Sequence, residues 1–126
     1  MNIEINKEFK QNYLVQDNNT AKFMGSGDLE VLATPSLVAF MENAAKEYLN
    51  TFLPEELGSV GSNININHIA PTLVGKEITV QGKITEIIKD KIIIFSLEAF
   101  EADKKIGDAT HTRVIINNEK FLRKLS

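Results

Sequence analysis

The stretch TPSLVAFMENAAKEYLNTFLP, from Thr34 to Pro54, predicts one long helix, and the rest of the fold follows from it. Thr34 is a favoured helix cap, and Pro35 suits a first helical position because its missing N–H is not needed there. Pro54 is expected to end the helix. At about 100° per residue, apolar side chains cover most of the circumference, which predicts a buried helix. The shared apolar face comprises Leu37, Met41, Ala44, Ala45, Tyr48 and Phe52.

The rest of the chain is rich in segments that alternate between apolar and polar residues, as half-buried strands do. One strand is predicted before the helix and four after it: 11–16, 63–67, 78–85, 92–100 and a last one that ends near Ile116. Successive hairpins and one early helix predict an α+β fold, an antiparallel sheet wrapped around one long central helix. We expect residues 1–126 to form a single domain. One helix covers only one face of such a sheet, so we also expect a homodimer or a higher homo-oligomer.

The composition excludes several classes of function. The chain has 126 residues, enough for one buried core, and no cysteine, which excludes disulfides, thiolate metal sites and cysteine nucleophiles. The net charge is −3 and the basic residues are scattered, which argues against nucleic-acid binding. No run approaches the ~20 apolar residues of a membrane span, and the N-terminus lacks the apolar core of a signal peptide. We expect a cytoplasmic protein that binds no membrane, metal or cofactor.

Glu42 is the first candidate for chemistry, because it lies outside the polar arc of the helix. Its neighbours on the helix surface are Val38, Leu49 and Leu53. A carboxylate on an apolar surface is costly, so it usually has a raised pKa or a specific partner, and it can serve as a general base or nucleophile. The alternative is a boundary glutamate that reaches solvent past the edge of the apolar stripe.

His68 is the second candidate. It has the same strand parity as Ile64 and Ile66, so it is expected to point towards the buried face. A histidine at the rim of an apolar face can exchange a proton near neutral pH. The alternative is a core histidine whose ring makes one backbone hydrogen bond.

Thr34 is the third candidate, in addition to its expected role as a helix cap. The free N–H groups and the dipole of a helix N-terminus favour an anion, such as a developing oxyanion. Thr34 and Glu42 are eight residues apart, which is roughly 12 Å along a helix axis. The two side chains therefore cannot touch, and a joint site must be completed by another element or another subunit.

Two further features remain open at this point. Gly75 could let its backbone approach a ligand closely, or it could simply be a turn glycine. His111 shares a strand face with Arg113, and that face could be solvated or could meet an acidic cofactor.

A set of short fragments resembles, in order and spacing, the hotdog thioesterases related to fluoroacetyl-CoA thioesterase. The fragments are MGSG (24–27), VLATP (31–35), MENAA (41–45), VG (60–61), NH (67–68), PTLVG (71–75) and GDATH (107–111). The resemblance covers roughly residues 11–117 and implies a hotdog fold, a dimer and an acyl-CoA substrate hydrolysed near the subunit interface. It also implies roles for four residues. Thr34 would bind and polarise the substrate, and Glu42 would attack it or activate water. His68 would assist proton transfer, and the Gly75 backbone would donate to the thioester oxygen.

The chain departs from this family in the segment before the helix, where aromatic lid residues contribute to selectivity. Here the segment reads GSGDLE (25–30), and only Phe23 and Met24 are bulky candidates for substrate contact. We therefore expect a small or medium acyl-CoA rather than a fluorinated one. The alternative function is a non-catalytic module that binds acyl-CoA or an acyl carrier. A hydratase or dehydratase that uses His68 is less favoured, because no second acid has the spacing found in such hotdog enzymes.

Overall fold

One long helix lies against a five-stranded antiparallel sheet in the computed structural model, which describes residues 2–126. The helix, α2, spans Thr34–Asn50, and two short helices are α1 (Ala21–Met24) and α3 (Asn118–Arg123). A 3-10 turn covers Asp17–Asn19. The strands are β1 (Phe9–Leu14), β2 (Leu57–His68), β3 (Glu77–Ile88), β4 (Ile92–Glu101) and β5 (Lys104–Asn117). The predicted α+β arrangement is confirmed, with one strand before α2 and four after it.

The sheet order is β1-β3-β4-β5-β2, which puts β2 at an edge. β3 and β4 form a hairpin whose turn residues Lys89 and Asp90 both have positive φ, 55° and 53°, as a type I′ turn requires. β2 pairs with β5, and the register shifts between Gly61 and Asn63, so that Ser62 is an extra residue in the edge strand. Such a bulge bends the strand and changes the direction of the neighbouring side chains.

The core lies between α2 and the face of the sheet against which it packs. Alternate residues of β4 are fully buried, beginning with Ile93 and Phe95, because successive side chains of a strand point to opposite faces. The helix contributes Leu37, Met41, Ala44, Ala45 and Leu49 to the same cluster. The predicted apolar stripe of the helix is therefore the side that packs on the sheet.

The helix ends earlier than its apolar pattern predicts. Asn50 is its last residue, and the N–H groups of Thr51, Phe52 and Leu53 each donate to a carbonyl three residues back. These tighter turns arise because a residue that precedes proline disfavours the helical region. Phe52 therefore lies beyond the helix rather than on its buried face. The short helices α1 and α3 were not predicted. Within residues 2–126, no helix is long and apolar enough to span a membrane.

Candidate active site

The start of α2 and the end of β2 meet at a single side-chain contact. The Oγ1 atom of Thr34 lies 2.8 Å from Nδ1 of His68. Thr34 is the first helical residue, and the N-cap is Ala33, whose carbonyl accepts the N–H of Leu37. The predicted capping role of Thr34 is therefore wrong. Its hydroxyl contacts the imidazole instead of a free N–H of the first turn.

His68 is half-buried at the end of β2, on the same side as Ile64 and Ile66, as its parity predicts. Burial lowers the pKa of His68 from its ordinary value of 6.5, so the ring is neutral near pH 7. Nε2 is buried and has no hydrogen-bond partner within the described part of the chain. A neutral ring that accepts the Thr34 hydroxyl at Nδ1 carries its proton on Nε2, where an acceptor is needed.

Glu42 lies further along α2, and its side chain is 41% exposed. Its Oε2 atom is 3.7 Å from Nη1 of Arg113, so Glu42 has the specific partner that its position predicted. Among the hydrogen bonds within residues 2–126, none joins Glu42 to Thr34 or His68. The structure thus brings Thr34 and His68 together in one chain, whereas Glu42 lies beside Arg113.

Arg113 is only 6% exposed, and each nitrogen atom of its guanidinium contacts a polar group. Its Nε donates to Oγ of Ser59 at 2.8 Å, and Nη2 donates to the Ser59 carbonyl at 3.2 Å. Its Nη1 lies 3.1 Å from Nε2 of His111. Burial lowers the pKa of Arg113, and the nearby Glu42 carboxylate opposes that change. The guanidinium is therefore a fixed, buried cation beside Glu42.

The strand face that carries His111 and Arg113 is the buried one, and His111 is 1% exposed. Neither open interpretation of this face is correct, because it is not solvated and the acid that it meets is Glu42 of the same chain. The ring of His111 also lies 2.8 Å, through Nδ1, from the Asn63 carbonyl at the β2 bulge.

Gly61 provides the space that Glu42 occupies next to the bulge. A Cβ atom at this position would lie 2.6 Å from Oε2 of Glu42 and 3.2 Å from Cε1 of His111. Only glycine leaves room for the carboxylate at this point of the strand. The sequence interpretation missed the structural roles of Ser59, Gly61 and Asn63. The sequence did contain one signal for this contact. Arg113 is a cation on a predicted strand, and it could have been paired with Glu42, the isolated acid on the helix.

The remaining predicted residues lie outside these contacts. Gly75 has a φ of 90° and its N–H donates to the Val15 carbonyl at 2.9 Å. The expected backbone donor to a thioester oxygen is therefore already used within the chain, and Gly75 acts as a turn glycine. Phe23 and Met24 lie on α1, 70% and 47% exposed, and Sδ of Met24 accepts the Ser36 hydroxyl at 2.9 Å. Within residues 2–126, no three His, Cys, Asp or Glu side chains cluster as a metal site requires.

The sheet and helix define a hotdog protein, as similar solved structures show. The fluoroacetyl-CoA thioesterase FlK matches with a TM-score of 0.91 and 25% identity, over 99% of this chain and 96% of that one. A thioesterase superfamily member from Thermus thermophilus matches with a TM-score of 0.86 and 26% identity, over 98% and 93% of the two chains. A hot-dog-like protein from Thermanaerovibrio acidaminovorans, at 18% identity and a TM-score of 0.86 over 98% and 90%, supports the fold alone.

Sequence comparison then identifies the family within this class. The family model of the fluoroacetyl-CoA-specific thioesterase, FlK, matches residues 15–119. The fluoroacetyl-CoA thioesterase of Streptantibioticus cattleyicolor is 31% identical over 96 residues, which is 76% of this chain and 68% of that protein. The chain belongs to the FlK family of thioesterases, and the resemblance identified from short fragments is confirmed.

Proposed function

We propose that this chain hydrolyses the thioester of a small or medium acyl-CoA to the free acid and CoA. Family membership supports the reaction class. The observation that carries the proposal for this chain is the 2.8 Å contact between Oγ1 of Thr34 and Nδ1 of His68. A hydroxyl held by a neutral imidazole at a helix N-terminus is suited to acyl-transfer chemistry.

The proposed reaction adds water across the bond between the carbonyl carbon and sulfur. Glu42 either takes a proton from the attacking water or attacks the carbonyl carbon itself, in which case water hydrolyses the resulting anhydride. The Thr34 hydroxyl has a single proton, which turns from Nδ1 of His68 to the carbonyl oxygen as negative charge develops there. His68 assists the transfer of a proton to the departing thiolate, so that the products are a carboxylic acid and CoA thiol.

A second copy of the chain is part of this proposal. Glu42 and Thr34 are eight residues apart on one helix, roughly 12 Å along its axis, and so one chain does not bring them into contact. The edge position of β2 and the exposed apolar side chains Ile69 and Leu73 beyond it favour a partner surface near His68. We propose a homodimer in which Glu42 of one copy completes the Thr34–His68 pair of the other.

Subunit complementation tests this arrangement. Glu42→Gln and His68→Ala chains carrying different tags are co-expressed, and the mixed dimer is isolated through both tags. If the site spans two chains, one of the two sites is intact and the mixed dimer recovers about half of the wild-type rate. If each site lies within one chain, both sites are defective and no activity returns. Light scattering of the wild type checks that the dimer exists.

The acyl group is proposed to be small or medium and not specifically fluorinated. Residues 25–30 before α2 carry no aromatic side chain, and Phe23 and Met24 are the bulky side chains near the helix start. A panel of acyl-CoA esters, with CoA detected by a thiol reagent, tests the reaction and ranks the acyl groups. Tight binding in calorimetry without thiol release from any ester would contradict hydrolysis and favour the non-catalytic binding module.

A further inference from the structure

We infer that His111 is a positioning residue for Glu42, and that it acts through Arg113. This inference rests on the proposed function, because it concerns the group that would activate water or attack the thioester. His111 and Arg113 are two residues apart on β5, so both point to the buried face beneath α2. His111 does not contact the Glu42 carboxylate by a hydrogen bond. Its effect depends on the arginine between them.

The contacts of His111 define its tautomer. The Asn63 carbonyl, 2.8 Å from Nδ1, can only accept a hydrogen bond, so Nδ1 must carry the proton. Arg113 can only donate, so Nε2 must be the unprotonated nitrogen. It accepts a hydrogen bond from Nη1 of Arg113 at 3.1 Å. Both nitrogens of the buried ring are therefore satisfied only in the neutral, Nδ1-protonated form. The one ring proton of His111 is donated to the Asn63 carbonyl in the buried interior, which separates its role from that of His68.

The arginine is oriented by this ring and by one serine. The hydroxyl of Ser59 accepts a hydrogen bond from Nε, and its carbonyl accepts one from Nη2. His111 accepts a hydrogen bond from Nη1. With these contacts made, Nη1 also faces Oε2 of Glu42 at 3.7 Å. Because His111 is a neutral acceptor, it orients the guanidinium without neutralising it, and the full positive charge acts on the carboxylate. Gly61 leaves the space in which this approach occurs.

Removal of the imidazole acceptor is expected to release Nη1. A buried donor without a partner is costly, so the guanidinium would rotate towards the next available acceptor, the Glu42 carboxylate. Glu42 would then move away from its position at the bulge. Substrate binding depends less on this carboxylate than turnover does, so kcat should fall more than KM rises.

Three variants of β5 test the inference. His111→Phe keeps a ring against Phe95, whose centroid lies 6.1 Å from that of His111, but it has no acceptor. His111→Gln restores an acceptor for Arg113 and a donor for Asn63. Thr112→Val is the matched control, because Thr112 lies between the two residues and points to the opposite face. Circular dichroism establishes that each variant is folded.

We expect His111→Phe to lower kcat up to about a hundredfold with KM within about threefold of wild type. His111→Gln should recover most of this loss, and Thr112→Val should be close to wild type. A folded His111→Phe with wild-type kcat would overturn the inference, and so would a folded His111→Gln as defective as His111→Phe. If His111→Phe does not fold, His111→Gln decides between these outcomes.

A second readout does not depend on activity. ¹⁵N NMR of the imidazole should show a neutral ring of His111 protonated at Nδ1. A charged ring, or one protonated at Nε2, would overturn the inference whatever the kinetics show. If the wild type released no thiol from any acyl-CoA, the proposed function would fail, and the spectrum would still test the geometry on which the inference stands.

Discussion

The hydroxyl of Thr34 and the imidazole of His68 are joined at 2.8 Å, across the junction of the first residue of α2 and the last residue of β2. This contact replaces the helix-capping bond that the sequence favours for threonine at such a position. It leaves Nε2 of His68 buried and without a hydrogen-bond partner within residues 2–126. His68 therefore has one ring nitrogen left to hydrogen-bond with a substrate group or with the carboxylate of the proposed second copy.

Turnover should depend on the hydroxyl of Thr34. The methyl group of this side chain should contribute little. Thr34→Val keeps the branched shape and removes the donor, and it is expected to lower kcat/KM roughly a hundredfold. Thr34→Ser keeps the hydroxyl and should retain activity within about tenfold. Steady-state thiol release on the best acyl-CoA measures both. Equal activity of the valine variant and the wild type would exclude a role for the hydroxyl.

Gly61 should be required for the position of Glu42. In Gly61→Ala the new methyl group would lie 2.6 Å from Oε2 of Glu42 and must displace it. Because this atom ends a flexible, partly exposed side chain, the loss of stability should be only about 1 kcal/mol, whereas activity should fall at least tenfold. Urea unfolding and thiol release measure the two effects.

The neighbouring bulge residue provides the control for this prediction. Ser62 is exposed, and its hydroxyl makes only a 3.4 Å contact with the Thr112 carbonyl. Ser62→Ala should therefore change neither the stability nor the activity. A Gly61→Ala protein with full activity would mean that Glu42 does not need its present position.

Stability should decrease as the pH falls below 6.5. Burial lowers the pKa of both His68 and His111 from that ordinary value, so in this range the unfolded chain binds more protons than the folded one. The free energy of unfolding therefore rises with pH until both states are neutral, and it is lost as protonation begins in the unfolded chain. Urea unfolding between pH 8 and pH 5 measures this slope.

A histidine variant tests the origin of that pH dependence. His111→Gln removes one of the two imidazoles whose pKa is lowered and retains its hydrogen bonds, so the slope below pH 6.5 should be smaller than in the wild type. An unchanged slope would mean that His111 does not contribute to it.

The helix and the strands were predictable because their patterns are local. The apolar stripe of α2 and the alternation of β3 and β5 depend only on residues a few positions apart. The end of α2 was predicted too late, because Pro54 acts through the turn that precedes it and not on the helix itself. The capping role of Thr34 was wrong because its hydroxyl contacts His68, which is 34 residues further along the chain, and local sequence does not show such a contact.

The partner of Glu42 could not be predicted from local patterns. Strand parity indicates that His111 and Arg113 share a face, but not that this face is the one beneath α2. The approach of Gly61 to Glu42 also depends on the extra residue Ser62, which shifts the register between β2 and β5. Such contacts require the register of the whole sheet, which a single sequence does not specify.

The most direct test of the account is the rate of thiol release by three variants on the best acyl-CoA of the panel. Glu42→Gln and His68→Ala should each lose at least a hundredfold in kcat while they remain folded. Glu47→Gln is the matched control, because Glu47 is an exposed acid on the same helix that pairs with Lys46, and it should retain the wild-type rate. Folded Glu42→Gln and His68→Ala proteins that turn over like the wild type would contradict the proposed mechanism.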